Sequence, residues 1–327
     1  MRRFMARVGA LTSAAPVTVG FVGAGAMASE HARAFSDIAG VRIAGIHGRT
    51  QAKAEAFAVR FGAVPVYDSV AELFDRARPQ LVVVAVGETS IGKVLGECLR
   101  FPWTIFMEKP VGIDLAEGRM IEATARRAGV RVLVGLNRRF LSSTLAARDG
   151  TEDDASPRFI HVQDQQSLVA ARAIGHPAEV VENWMYANSI HLVDYLTLFG
   201  RGDVVAVERV NPWRQDDPGI VLAKVAFSSG DLGLYEGIWS GPGPWACSVS
   251  TAARRWEMRP LEQATFQNAG ERTLTKVEPH VWDGAFKPGF RRQAAEVIAA
   301  LRGEASAIPD VIEAMRSMQL VHDIFAN

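Results

Sequence analysis

"VTVGFVGAGAMASEHARAF", Val17 to Phe35, begins as an apolar, strand-forming run, breaks at a cluster of glycines and resumes with helical spacing. Within it "GAGAMA", Gly23 to Ala28, fits G-x-G-x-x-G/A between a strand and a helix, the context in which that spacing has a mechanism. Gly23 permits the tight turn, Gly25 lets the backbone approach a diphosphate, and Ala28 keeps the helix close to the sheet. Ala26 and Met27 open the helix, whose N-terminal N–H groups and positive potential suit an anion. A plain structural turn uses the same glycines. Its place in the first β-α-β unit favours the dinucleotide reading.

Working outward, apolar runs alternate with helix-like patterns as far as "RVLVGLN". "VRIAGIHG" precedes "QAKAEAFAVRFG", "QLVVVAVG" precedes "SIGKVLGECLR", and "WTIFMEKP" precedes "LAEGRMIEATARRAG". Continuous runs such as Leu81 to Val86 suit strands covered on both faces, and repeated β-α-β units predict a doubly wound parallel sheet. Val86, at the end of its run, joins the expected cofactor-binding set. Cofactor choice rests on the end of the second strand, where an acid marks NAD. Here "HGRT" offers Gly48, Arg49 and Thr50 without an acid, and Arg49 suits a 2′-phosphate through charge-assisted bonds. We read NADP slightly ahead of NAD. A solvated turn with Thr50 capping the next helix is the competing reading.

Past about residue 150 short alternating runs take over: "RFIHVQ", "VVAVERV", "IVLAKVAFS", "LGLYEGIWS" and "ACSVS". These predict one antiparallel sheet, preceded by a helix over about 183–199 and followed by two amphipathic helices packed on the body. The expected architecture is therefore α/β: an N-terminal Rossmann doubly wound parallel sheet, and a C-terminal α+β domain with an open-faced antiparallel sheet. The expected divisions are an extension over 1–16, a dinucleotide-binding domain over 17–136, and a substrate-binding and oligomerisation domain over 137–327.

Composition narrows the functional classes. With 48% hydrophobic and 22% charged residues, the chain is ordinary for a globular protein. Its 36 basic and 36 acidic residues cancel, so charge gives no case for nucleic acid or an anionic membrane. No apolar run reaches the ~20 residues of a membrane span. Cys98 and Cys247 alone give no disulfide framework and no metal spacing, and no metal site is expected. In "MRRFMARVGALTSAAP" the arginines and small residues resemble a targeting peptide, but Arg7 interrupts the apolar stretch that export requires. We expect a disordered extension and a cytoplasmic protein.

Two further stretches carry the chemistry. "FMEKPVG", Phe106 to Gly112, sets Lys109 between Glu108 and Pro110 at the end of a strand, although lysine is rarely buried without a partner. "NWMYANSIHLVDYLTLFG" sets Asn188, His191 and Asp194 or Tyr195 at helical spacings of three or four. With the glycine turn and the order of the sheets, "MEKPVG" and "NSIHLVDY" resemble the Gfo/Idh/MocA family of glucose–fructose oxidoreductase, inositol dehydrogenase and MocA-like proteins. The resemblance spans nearly the whole chain from residue 17.

It implies a Rossmann domain joined to an open-faced sheet, and hydride transfer to or from a secondary alcohol or ketone of a sugar or nucleotide-linked sugar. Lys109 and His191 would be catalytic, with Lys109 stabilising the developing alkoxide and relaying its proton. Glu108 would orient Lys109 or contact the cofactor, and the Lys109–Pro110 bond would be cis. Asp194 would either orient His191 or simply cap or hydrogen-bond nearby backbone. Many relatives carry an aspartate four residues before the histidine, but here that position is Ala187, which leaves Lys109 and His191 as the pair. Asn137, Arg138 and Arg139 in "GLNRRFLSS" are expected to meet the substrate or the nicotinamide end, and Asn188, with His191, a sugar hydroxyl. The bland reading of "NRR" is a basic turn between domains. Trp184 and Tyr186 either stack on a sugar ring or pack in the core. A redox-neutral NAD-dependent glycosidase or lyase and a non-catalytic dinucleotide sensor are the alternatives. The sheet face is expected to pair copies into a homodimer or homotetramer.

Overall fold

The computed structural model of the protein describes residues 16–216 and 218–326. The extension expected over 1–16 lies, apart from Pro16, outside the described residues. The first half runs β1 (Val17–Val22), α1 (Ala26–Ser36), β2 (Val41–His47), α2 (Gln51–Arg60), β3 (Val66–Tyr67), α3 (Val70–Ala77), β4 (Leu81–Val84), α4 (Ile91–Cys98), β5 (Thr104–Glu108), α5 (Leu115–Ala128) and β6 (Val132–Gly135). Its six strands are parallel in the order β3-β2-β1-β4-β5-β6. Every residue of β4 is fully buried, as the unbroken apolar run requires. The order reverses between β1 and β4, and a crevice opens there at the carboxyl ends of the strands.

The second half runs α6 (Ser142–Glu152), β7 (Phe159–Gln165), α7 (Leu168–Ala173), α8 (Ala178–Glu182), a π-helical turn (Met185–Ser189) and α9 (Ile190–Phe199). There follow β8 (Val204–Asn211), β9 (Ile220–Phe227), β10 (Leu232–Ile238), β11 (Ala246–Ser250), β12 (Arg254–Met258), β13 (Ala264–Asn268) and β14 (Thr275–Val277). The chain closes with α10 (Val281–Ala285), α11 (Phe290–Leu301) and α12 (Val311–Phe325). The eight-stranded sheet is ordered β14-β13-β12-β11-β7-β10-β9-β8. It is antiparallel except at its centre, where β7 and β10 run parallel, which corrects the expected all-antiparallel sheet. Strand alternation records which face is buried, not the direction of the neighbour, and here the α7–α9 crossover and the β8–β9 meander bring β10 alongside β7 in the same sense.

Nearly all of α9 is buried, and it packs across β7, β10 and β11. Of the closing helices, α11 lies on α1 and shares its apolar cluster, while α12 lies on α5 and α9. Asp194 is set by this packing. Arg139 Nε and Nη2 donate to its carboxylate oxygens at 2.8 Å each, and Ser317 of α12 donates to it at 2.6 Å. Asp194 thus ties α9 to α12 and does not orient His191, correcting that expectation: one helical turn beyond His191, the face is covered. Among the described residues no helix is long and apolar enough to cross a membrane.

The Arg139–Asp194 pair is almost wholly dry, 4% and 2% exposed. Removing one partner of such a pair strands a buried charge and costs about 3–5 kcal/mol. Arg139→Met is therefore expected to lower the thermal midpoint by several degrees, and Asp194→Asn, which keeps acceptor capacity for Ser317, by less. An unchanged midpoint for Arg139→Met would show that the charge reaches water.

Candidate active site

Three strand ends and one helix meet at the crevice. After β1 the chain turns through Gly23 at φ 105°, where a Cβ would lie 2.2 Å from the Ala85 carbonyl oxygen just beyond β4. Only glycine lets these strand ends approach so closely. Gly25 is the N-cap of α1, no side chain caps that helix, and a Cβ there would meet nothing within 4 Å. Open space therefore lies over uncapped N–H groups, the cradle a dinucleotide diphosphate needs.

A cavity of about 460 Å³ runs from this turn to the second domain. Of the candidate residues, Gly25, Ala26, Met27, Val86, Glu108, Lys109, Asn137, Arg138, Asn188 and His191 line it. Gly23 and Ala28 shape the turn from behind, Ala28 fully buried. Gly48, with a neighbour at Ala24 Cβ, backs the same turn, whereas Arg49 and Thr50 are exposed at the end of β2 and not in the cavity wall. Thr50 is the N-cap of α2, but its side chain makes no capping bond.

Trp184 and Tyr186 lie outside the cavity lining and are corrected to core residues. Trp184 is 9% exposed and donates its indole N–H to Gln166 Oε1 at 2.8 Å, and the Tyr186 hydroxyl lies 3.4 Å from His322 Nδ1. Tyr195 also turns inward, to Thr144 at 2.7 Å. The helical period places these residues correctly along the axis, but the cavity reaches only one turn of it.

At the end of β5 the Lys109–Pro110 bond is cis, and Lys109 Nζ donates to the Ala187 carbonyl at 2.5 Å. A neutral carbonyl in the π-helical turn thus receives the ammonium where a carboxylate was absent. Burial lowers the Lys109 pKa and the Lys287 and Arg138 charges add to this, opposed by Glu108 and Glu88. Glu108 is bonded not to Lys109 but to His31, Nε2 to Oε1 at 2.6 Å. Burial pushes its carboxyl up, but the His31 bond and the charges of His31, Lys109 and Lys287 outweigh this and hold it below the usual value.

His191 is 9% exposed, and its Nδ1 has no hydrogen-bond partner among the described residues. Burial, then the cations Lys109, Arg138 and Lys287, hold its pKa well below the ordinary imidazole value, so the ring is neutral at pH 7. Asn137 spends its Nδ2 on the Pro288 carbonyl at 3.1 Å. Arg138 is paired with Glu262 and lies 5.4 Å over the Trp245 ring.

Three side chains at the cavity were not marked in the sequence. Trp245, from the loop before β11, forms a wall of the cavity, and Lys287 enters it from the loop before α11. Gln166 lies behind it. An indole N–H can only donate, so the Trp184 bond fixes the amide of Gln166 with Oε1 toward Trp184. The same Oε1 accepts from Asn188 Nδ2 at 2.8 Å, and Gln166 Nε2 donates to Asp164. Asn188 therefore keeps Oδ1 unbonded, an acceptor at the cavity wall. No local periodicity marks these residues, since each acts from a loop or strand end.

Residues 17–136 match the family described as oxidoreductase family, NAD-binding Rossmann fold, Gfo/Idh/MocA. Over 124 residues, 38% of this chain and 35% of the relative, the chain is 34% identical to glucose-6-phosphate 3-dehydrogenase of Bacillus subtilis (strain 168). It is 28% identical over 138 residues, 42% of this chain and 41% of the relative, to inositol 2-dehydrogenase of Rhizobium meliloti (strain 1021). The chain thus matches less than half the length of either curated relative. Its fold is similar over 95% of both chains to the solved structure of a dehydrogenase from Chromobacterium violaceum, with a TM-score of 0.82 at 22% identity. That likeness carries the two-domain fold through the C-terminal half. By its glycine turn, its strand order and the match over residues 17–136, the N-terminal part of the chain is similar to the NAD-binding Rossmann domain of the Gfo/Idh/MocA oxidoreductase family.

Proposed function

We propose that the protein is an NAD(P)-dependent oxidoreductase acting on a secondary alcohol or ketone of a carbohydrate. The observation that carries this is the meeting of Lys109, from β5, and His191, from α9, in one cavity with the glycine turn. The names of the matched relatives, a sugar-phosphate dehydrogenase and an inositol dehydrogenase, support the same substrate class.

The bound nicotinamide supplies or accepts the hydride; the chain's residues hold the substrate and move its proton. In the oxidising direction the carbinol C–H bond gives up hydride as its O–H proton passes to the Lys109–His191 pair. Lys109, as a cation, stabilises the developing alkoxide. Burial lowers its pKa below the usual lysine value, which eases release of the proton it relays. His191, held neutral, offers an imidazole nitrogen as the second acceptor. Asn188 Oδ1 accepts from a neighbouring hydroxyl, and Trp245 supplies a flat wall for a ring. Arg49 and Thr50, exposed beyond β2, serve a 2′-phosphate, so NADP is placed ahead of NAD.

The division of labour is a dinucleotide domain over 17–136 and a substrate domain over 137–327. The open face of the second sheet, with Phe159, Ile220 and Leu232 exposed on adjoining strands, pairs copies of the chain into a homodimer or homotetramer. Two unpaired cysteines, both buried, suit the cytoplasm.

Incubation with NAD⁺ or NADP⁺ and a panel of hexose 6-phosphates, inositols and nucleotide-linked hexosamines is expected to produce reduced nicotinamide with at least one member. With that substrate Lys109→Ala should lower turnover by about 10²–10⁴, the scale of an acid–base group. Product without net reduced cofactor would move the reading to redox-neutral chemistry, and a silent panel with no bound dinucleotide would refute it. Arg49→Ala should weaken NADPH binding by about tenfold, one charge-assisted contact, and leave NADH unchanged; equal loss of neither would favour NAD.

His191 adds a pH test. Its folded pKa is depressed below the unfolded value of about 6.5, so its contribution to stability is whole above that pH and is lost as pH falls below it. Denaturant midpoints between neutral pH and pH ~5 should fall by up to about 1.4 kcal/mol per pH unit from this one group. His191→Asn should flatten that slope; a slope unaltered by the substitution would show that the imidazole protonates freely in the folded protein.

A further inference from the structure

Lys287 stands on the connection Phe286–Gly289 between α10 and α11, 260 residues from the glycine turn it faces. Its Nζ lies 3.3 Å from Met27 Sδ and 5.4 Å over the Phe290 ring. A thioether is a weak acceptor, and among the described residues no carboxylate reaches Lys287 within 4.0 Å. Arg138, by contrast, has Glu262, and Lys109 has the Ala187 carbonyl.

The connection is fastened from both sides. Arg33 of α1 donates to the Ala285 carbonyl and lies 5.1 Å over Phe286. Asn137 donates to the Pro288 carbonyl at 3.1 Å, and Asp283 accepts from the Ser142 and Gly289 amides at 2.8 and 3.0 Å. Gly289 holds φ 82°, where a Cβ would meet the Asn137 carbonyl oxygen at 2.3 Å. The backbone beneath Lys287 is thus ordered in advance, and the ammonium is brought to the first turn of α1 without a counterion. No acidic residue stands in that first turn.

We propose that Lys287 binds the diphosphate of the dinucleotide, completing from the C-terminal half of the chain the seat that Gly25, Ala26 and Met27 begin. The assignment rests on the dinucleotide reading above. It favours the diphosphate over a substrate anion because Lys287 touches Met27 at the glycine turn, whereas Asn188 and Trp245 wall the cavity from the second domain. A preordered cation paired with phosphate oxygens gives the strong, charge-assisted kind of contact.

Calorimetric titration of the full chain with NADH and with ADP-ribose, which has the diphosphate but no nicotinamide, tests this. Lys287→Met is expected to weaken both by roughly 10- to 100-fold, the worth of one charge-assisted bond, and to reduce the salt dependence of ADP-ribose binding. Lys287→Arg should bind both within a few-fold of wild type. The ligand-free thermal midpoint should be the same for all three proteins, since Lys287 has no ion-pair partner to lose. Unchanged ADP-ribose affinity in Lys287→Met overturns the assignment while leaving the dinucleotide reading intact. A wild-type chain that binds neither NADH nor ADP-ribose overturns both.

Discussion

The bond between His31 and Glu108 holds the crevice in register. His31 comes from α1, Glu108 ends β5, and the imidazole stacks on Phe290 of α11 at 4.5 Å between centroids. A carboxylate only 13% exposed costs free energy unless it is paired, so the strand end can sit at this depth only because His31, itself 1% exposed, meets it. The next residue is Lys109, whose direction follows from that of Glu108. The Glu108 charge also counters the burial and cationic neighbours that lower the Lys109 pKa. One buried pair therefore sets both where the amine points and how readily it gives up its proton.

The absent aspartate at Ala187 changes the electrostatics rather than the geometry. A π-helical turn presents the Ala187 carbonyl to Lys109, which fixes the ammonium by a dipole where a carboxylate would also have neutralised it. The cavity keeps more positive charge, and His191, facing Lys109, Arg138 and Lys287, stays neutral. In the proposed function, orientation of the substrate would then fall to dipoles as well. Asn188 is held by Gln166, Gln166 by Trp184 and Asp164, and Asp164 by the Tyr235 hydroxyl at 2.7 Å. Burial pushes the Asp164 pKa up to about 6 against these bonds, so below that pH the chain of amides loses its anionic end.

What was legible in the sequence follows from how locally each constraint acts. The Gly23–Ala28 turn and the run Leu81–Val86 encode strand, turn and cover within a few residues, and they led to the doubly wound sheet. Lys109 stood out as a lysine at the end of a buried strand and His191 only through the family resemblance, and the fold brings the two to one cavity. Trp184 and Asn188 share a helical segment, but which side of it would be walled off depends on β7 and α12, far away in sequence. The parallel β7–β10 pair, the Gln166 relay and the Lys287 loop are contacts between segments with no shared period. β13 and β14 escaped too, since their burial alternates poorly toward the sheet edge.

The distribution of charge around the cavity gives the two halves different tasks. Lys109, Arg138 and Lys287 face Glu88 and Glu108 across it, an excess of one cation. Glu108 is spoken for by His31 and Arg138 by Glu262. Among the described residues the cations without an ion-paired acid are therefore Lys287, which reaches the glycine turn, and Lys109, at the end of β5 beside the Ala187 carbonyl. In the proposed function a diphosphate at the turn would answer the first. The second has only a carbonyl until an oxygen gains negative charge beside it, and a low-dielectric wall of Trp245 and His191 strengthens that attraction as it develops. A positive charge left unpaired in the resting protein is then worth most at the moment an alkoxide forms, which is the difference in binding that accelerates a reaction.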